Sequence, residues 1–138
     1  MMVLVDTSVW SLVLRRKEKD LSARQREMQT TLEKLIVAGQ VQVPGIIRQE
    51  VLTGIRDKAQ YEKLRSSLRA FKDVELFLED YEEAASMSNR CRTRGVSGSA
   101  VDFLICAVAT RRKWSILTTD QDFLHYSKHI PVTLFPIA

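Results

Sequence analysis

Val3-Leu4-Val5 is an apolar run without alternation that stops on Asp6 and passes at once into a helical pattern. A strand apolar on both sides is buried on both faces, the situation of strands in parallel sheets flanked by helices. Asp6 then stands just past the C-terminal end of such a strand, the edge at which open parallel α/β sheets bind ligands. One aspartate is also a good turn residue or helix cap, so its meaning depends on what else reaches that edge.

The rest of the chain repeats the alternation. A short helix over Ser8 to Arg15 leads into the polar connection Arg15 to Asp20, and Ser22 opens a clear helix with Gln25 in capping-box position. Met28, Leu32, Leu35 and Ile36 form its apolar stripe, and Gly39 is its stop. Val41 to Val43 reads as a strand broken at Pro44-Gly45, followed by a helix over Ile46 to Ile55. Tyr61, Leu64, Leu68 and Phe71 recur at helical spacing ahead of a strand-like Val74 to Phe77. A helix from Asp80 through Cys91 ends before the loop Gly95 to Gly98. Ser99 then opens the most apolar helix, Ala100 to Thr110, which leads to a strand over Trp114 to Leu117 that ends at Asp120. A short helix from Asp122 and a last strand, Val132 to Phe135, complete five strands separated by helices. That order predicts a mainly parallel sheet with helices on both faces, in one domain spanning residues 1–138.

With 45% apolar and 28% charged residues the chain has the content for one core. No apolar stretch nears the roughly 20 residues of a membrane span, and no signal-type segment opens the chain, which leads to the expectation of a soluble cytoplasmic protein. Cys91 and Cys106 lack zinc or disulfide spacing and read as reduced core residues. A net charge of +4 permits an anionic partner such as nucleic acid. His125 and His129 are four apart but have no third ligand, and no Gly-rich phosphate loop or nucleophile elbow is present.

Four acids stand in awkward places. Asp120, like Asp6, follows an apolar strand. Asp102 opens a helix whose next residues, Phe103 to Ala109, are apolar all round, although Ser99 and Asp102 also fit a capping box. Glu50 falls between Ile46 and Ile47 on a helical wheel, inside the apolar arc continued by Val51 and Ile55. A carboxylate on a buried face costs several kcal/mol unless paired or bound to a cation. Helices that follow parallel strands begin at the ligand-binding edge, so Asp6, Glu50, Asp102 and Asp120 are expected to converge there, with Asp122 a fifth acid or a helix cap. Such a cluster repels itself when empty and suits hard divalent cations with oxygen ligands, Mg²⁺ or Mn²⁺, as one or two ions. Two metals so held are a known solution for phosphodiester hydrolysis.

The motifs VDTSVW, QEVLTG, SAVDFLICAVA and LTTDQDF, in this order and spacing, cover essentially the whole chain. Together they resemble the PIN domain family, and within it the small VapC-type toxins of bacterial and archaeal toxin–antitoxin modules. The resemblance implies a PIN fold with a five-stranded parallel sheet, and a metal-dependent endoribonuclease cutting RNA. Its metal-site acids would be Asp6, Glu50, Asp102 and Asp120, with Asp122 as a contributor and with Ser8 and Thr118 as supporting hydroxyls. It further implies a homodimer, or a larger assembly, neutralised by a cognate antitoxin whose C-terminal segment lies over the active-site groove.

Among basic residues, Arg111-Arg112-Lys113 and Arg15-Arg16-Lys17 read as solvated, whereas Arg90, Arg92 and Arg94 are the better candidates for RNA phosphates. Trp10, Leu12 and Leu14 suit either an interface or the core. Two other functions remain open on the residues alone. An aspartate-based phosphotransfer protein would use Asp6, although Ser8 stands where its phosphatase form wants a second acid. A non-catalytic RNA- or protein-binding domain would treat the acids as caps.

Overall fold

A computed structural model of the chain describes residues 1–15 and 17–136, with the backbone alone at Glu18. Arg16, one of the basic residues read as solvated, lies outside the described residues. The order is β1 (Val3–Val5), α1 (Thr7–Arg15), a 3₁₀ turn, α2 (Ala23–Val37), β2 (Val41–Gln42), α3 (Gly45–Leu52), α4 (Lys58–Leu68), α5 (Leu78–Thr93), α6 (Ala100–Arg112), β3 (Ser115–Leu117) and α7 (Asp122–Tyr126).

The sheet is parallel in the order β2-β1-β3. Val3 lies opposite Val41 on one side and Ser115 on the other, and Val5 opposite Leu117. β1 is therefore the centre of the sheet, and its three side chains are 0–1% exposed, as an uninterrupted apolar run requires. The α/β architecture with a parallel sheet is the expected one, but the strand count is smaller. Among the described residues there are three strands, and the expected last strand contributes only one parallel bridge, Ile116 to Leu134. Pro131 and Pro136 flank that segment and cannot donate to a ladder, which keeps the pairing short.

Val74 to Phe77 is not a strand. Its backbone groups are taken by side chains instead of a neighbouring strand. Val74 N donates to Asp73 Oδ1, Phe77 N donates to Asp80 Oδ2, and Glu75 O accepts from Arg112 Nη2. An extended apolar pattern does not reveal which partner satisfies the backbone, so the strand expectation fails here.

Arg111 and Arg112 correct the solvated reading as well. Both donate to the fully buried Asp80, and Arg112 bonds both of its oxygens. The Arg112 guanidinium also lies over the Phe77 and Trp114 rings at 5.9 and 5.6 Å. The Arg112 hydrogen bonds come first among the causes that hold the Asp80 carboxyl well below the usual carboxylate range, against the opposing effect of burial. This cluster ties the start of α5 to the end of α6.

Trp10 and Leu12 are core residues at 3% and 5% exposure, and Trp10 Nε1 donates to Val5 O. Leu14 packs partly buried against the same core, so the first helix spends these side chains inside the domain. The α2 cap forms as expected, with Gln25 N on Ser22 Oγ and Ser22 N on Gln25 Oε1, while Ile36 turns outward from the stripe. No helix among the described residues is long and apolar enough to cross a membrane.

Candidate metal centre

Asp6 is 5% exposed at the end of β1, where its backbone N–H continues the sheet to Leu117 O. Its Oδ2 accepts from Ser8 Oγ at 2.8 Å and from Thr118 Oγ1 at 2.9 Å, so hydroxyls from the two neighbouring strand ends meet on one carboxylate oxygen. The same hydroxyls build the next turn, because Thr119 N donates to Ser8 Oγ and Asp120 N to Thr118 Oγ1. Asp120 Oδ1 in turn accepts from Asp122 N, which sets the entry to α7.

Asp102 sits in the first turn of α6, whose N-cap Ser99 accepts from Asp102 N at 3.0 Å. α6 leads into β3 through a short turn and so runs back along it, which brings its first turn to the strand's C-terminal edge. Carboxylate oxygens of Asp102, Asp120 and Asp122 all lie within 4.8 Å of one another. Burial pushes the Asp102 carboxyl up, the Tyr126 and Ser99 hydroxyls pull it down, and the Asp120 and Asp6 charges push it up again. Glu50, half-buried on α3, accepts from Thr7 Oγ1 at 2.7 Å, so the residue after Asp6 holds it. Asp6 and Glu50 are outside the set of three clustered carboxylates but are joined to that edge by these hydroxyls. Gly54, just beyond α3, has φ 86°, a conformation that favours glycine where the helix has stopped.

The model of the PIN domain family matches residues 3–129. The chain belongs to the PIN domain family. Among solved structures, this PIN domain is similar to FitAcB from Neisseria gonorrhoeae, with TM-score 0.77 and 21% identity over 98% of this chain and 97% of that one. It is likewise similar to VapBC2 from Rickettsia felis bound to a fragment of its promoter DNA (TM-score 0.74, 13% identity, 98% of each chain). A third is a toxin–antitoxin complex from Klebsiella pneumoniae, at TM-score 0.64 and 20% identity over 88% of this chain and 89% of that one. No match was found among curated proteins.

The donor set of this PIN domain fits a divalent cation. Asp102, Asp120 and Asp122 offer only hard oxygens, and among the described residues no Lys or Arg pairs with them or with Asp6 or Glu50. Uncompensated carboxylates this close are costly without a positive charge between them.

A groove of about 700 Å³ reaches the acids at Asp120. One wall is Ser8, Ser11, Leu12 and Arg15 of α1, the other Arg24 and Met28 of α2. Arg15 is thus at the site's margin and not merely on a solvated connection, and Arg24 was not singled out by sequence at all. Arg90 pairs with Glu83 at 2.7 Å on the exposed side of α5, and neither it nor Arg92 or Arg94 lines the groove.

Sequence reasoning also missed Thr7 and Tyr126. Thr7 lies inside the VDTSVW motif, one residue from Asp6, and that adjacency was the available signal. Tyr126 is 1% exposed on α7 and donates to Asp102 Oδ2 at 2.7 Å. Phe123 and Tyr126 at i, i+3 show the inward face of α7, but nothing in the pattern says that the hydroxyl ends on an acid.

Proposed function

We propose that this PIN domain is a Mg²⁺- or Mn²⁺-dependent endoribonuclease, the toxin of a toxin–antitoxin pair acting in the cytoplasm. The observation that carries the reading is the trio of carboxylates within 4.8 Å beside an open groove, with no cationic side chain among the described residues paired to it. PIN domains are generally nucleases. The toxin role follows the similar solved structures, one of which is a toxin–antitoxin complex. The same likeness suggests a cognate antitoxin, and the homodimer stays part of the reading as an implication of the family resemblance alone.

Asp102, Asp120 and Asp122 would hold the cation, with Asp6 and Glu50 extending the negative edge on which one or two ions sit. Bound there, the metal supplies charge stabilisation to the phosphodiester and lowers the pKa of a water. The chain's own contributions are positional. Ser8 and Thr118 fix Asp6, Thr7 fixes Glu50, and the groove receives the RNA strand with Arg15 and Arg24 at its rim for phosphate contacts. Asp6 is poorly disposed as a phosphoacceptor, because it is buried and one of its oxygens already accepts two hydroxyls.

The test is RNA cleavage in Mg²⁺, Mn²⁺ and EDTA by the wild type and by Asp6→Asn and Asp102→Asn. Each substitution is expected to lower the rate by about 100-fold or more, the scale of losing one preorganised electrostatic group. Cleavage that survives EDTA and both substitutions would refute the reading.

A further inference from the structure

We propose that Tyr126 is a positioning residue for the metal centre, its hydroxyl pinning Asp102 Oδ2, and that Gly98 is the space that lets it do so. This rests on the metal-dependent reading above. The Tyr126 ring is held between Phe103 at 4.8 Å and Phe123 at 5.4 Å between centroids, and only 1% of the residue is exposed. A ring packed this way has no freedom to carry its hydroxyl elsewhere, and a phenylalanine would serve the packing alone. The phenol O–H donates at neutral pH, and Asp102 Oδ2 is the acceptor it reaches, at 2.7 Å.

Gly98 supplies an independent observation. Glycines at 39, 54 and 95 have positive φ, but Gly98 does not, so the backbone there does not call for glycine. What calls for it is space. A Cβ at position 98 would run into the Tyr126 hydroxyl and lie 2.7 Å from Cζ and 2.9 Å from Cε1. The following residue, Ser99, caps the helix that carries Asp102. The helix cap therefore fixes the Asp102 backbone, the missing side chain leaves room for the phenol, and the phenol engages one oxygen of the carboxylate. Partners of this kind behind a metal ligand commonly change metal affinity by about 10- to 100-fold when removed.

The experiment measures Mn²⁺ affinity from the free-ion electron paramagnetic resonance signal, for the wild type, Tyr126→Phe, Gly98→Ala and Asp102→Asn, with thermal unfolding of each in EDTA. Tyr126→Phe is expected to weaken Mn²⁺ binding about tenfold or more while remaining folded, and Gly98→Ala to weaken it in the same direction. A hydroxyl with a merely structural role would shift the unfolding temperature and leave Mn²⁺ affinity unchanged, and that result overturns the proposal. If Asp102→Asn weakens binding and Tyr126→Phe does not, the positioning role alone fails. If the wild type binds no Mn²⁺, or Asp102→Asn binds as tightly as wild type, the metal-centre reading fails and takes this inference with it.

Discussion

Replacing Asp120 with asparagine should stabilise the metal-free protein and destabilise it relative to wild type once Mn²⁺ is added. Asparagine keeps the size of the side chain and the Oδ1 that accepts from Asp122 N, so the change is mainly one of charge. Two unit charges at 4.8 Å repel by about 3.5 kcal/mol at an effective dielectric near 20 and by about 1 kcal/mol in bulk water. Asp102 and Asp120 are half-buried and Asp122 is exposed, so the two repulsions Asp120 feels fall between these limits. Salt screening reduces both, and the bond to Asp122 N weakens when its acceptor loses charge. A net gain of about 1–2 kcal/mol follows, or about 3–7 °C in Tm for a chain of 138 residues. Mn²⁺ at about 100 times its Kd stabilises the wild type by about 2.7 kcal/mol, close to 9 °C, whereas the variant, lacking one of three clustered carboxylates and binding about 100-fold more weakly, gains only about 0.4 kcal/mol at the same concentration. The order of Tm should therefore reverse between EDTA and MnCl₂ in thermal melts at pH 7.5. A variant that melts below wild type in EDTA and gains as much from Mn²⁺ would refute the view that these carboxylates repel one another and share a cation.

Two further outcomes follow from the other charged groups. Asp80→Asn removes one partner of a buried ion group and should cost about 3 kcal/mol, read as a drop in the urea midpoint. Because the folded carboxyl is held below its unfolded value, its stabilisation is fully present above about pH 4 and lost as pH falls through the depressed value. The gap between wild type and variant should thus be constant from about pH 5 to pH 8 and close only in stronger acid. Arg15→Ala and Arg24→Ala should each weaken binding of a non-cleaved RNA uniformly across sequences and reduce its salt slope by about one; an unchanged slope would remove the groove from the RNA path.

The central strand was legible because burial on both faces leaves a mark that needs no tertiary knowledge, the uninterrupted Val3-Leu4-Val5. Asp102 and Glu50 were legible as anomalies, acids within apolar arcs. What the pattern does not encode is the partner. Val74 to Phe77 has a strand's composition, yet Asp73, Asp80 and Arg112 satisfy its backbone, and the Arg112 that does so lies 37 residues from Glu75. The same blindness turned Arg111 and Arg112 into a solvated helix end and left Tyr126 unassigned. In each case a side chain crosses between elements that periodicity treats one at a time.

Asp80 and the acids of the strand edge show what separates a charge-paired carboxylate from one left able to take a cation. Both kinds are hydrogen-bonded and several are buried, so burial does not distinguish them. The nature of the donor does. Asp80 is met by two guanidinium groups, which cancel its charge and bind α5 to α6. Asp6, Glu50 and Asp102 are met by the hydroxyls of Ser8, Thr118, Thr7 and Tyr126, which fix geometry and leave the charge in place. An arginine at any of those positions would stabilise the empty protein and compete with the metal. Neutral donors orient the acids and leave their mutual repulsion in place, a cost in stability that a bound cation would relieve.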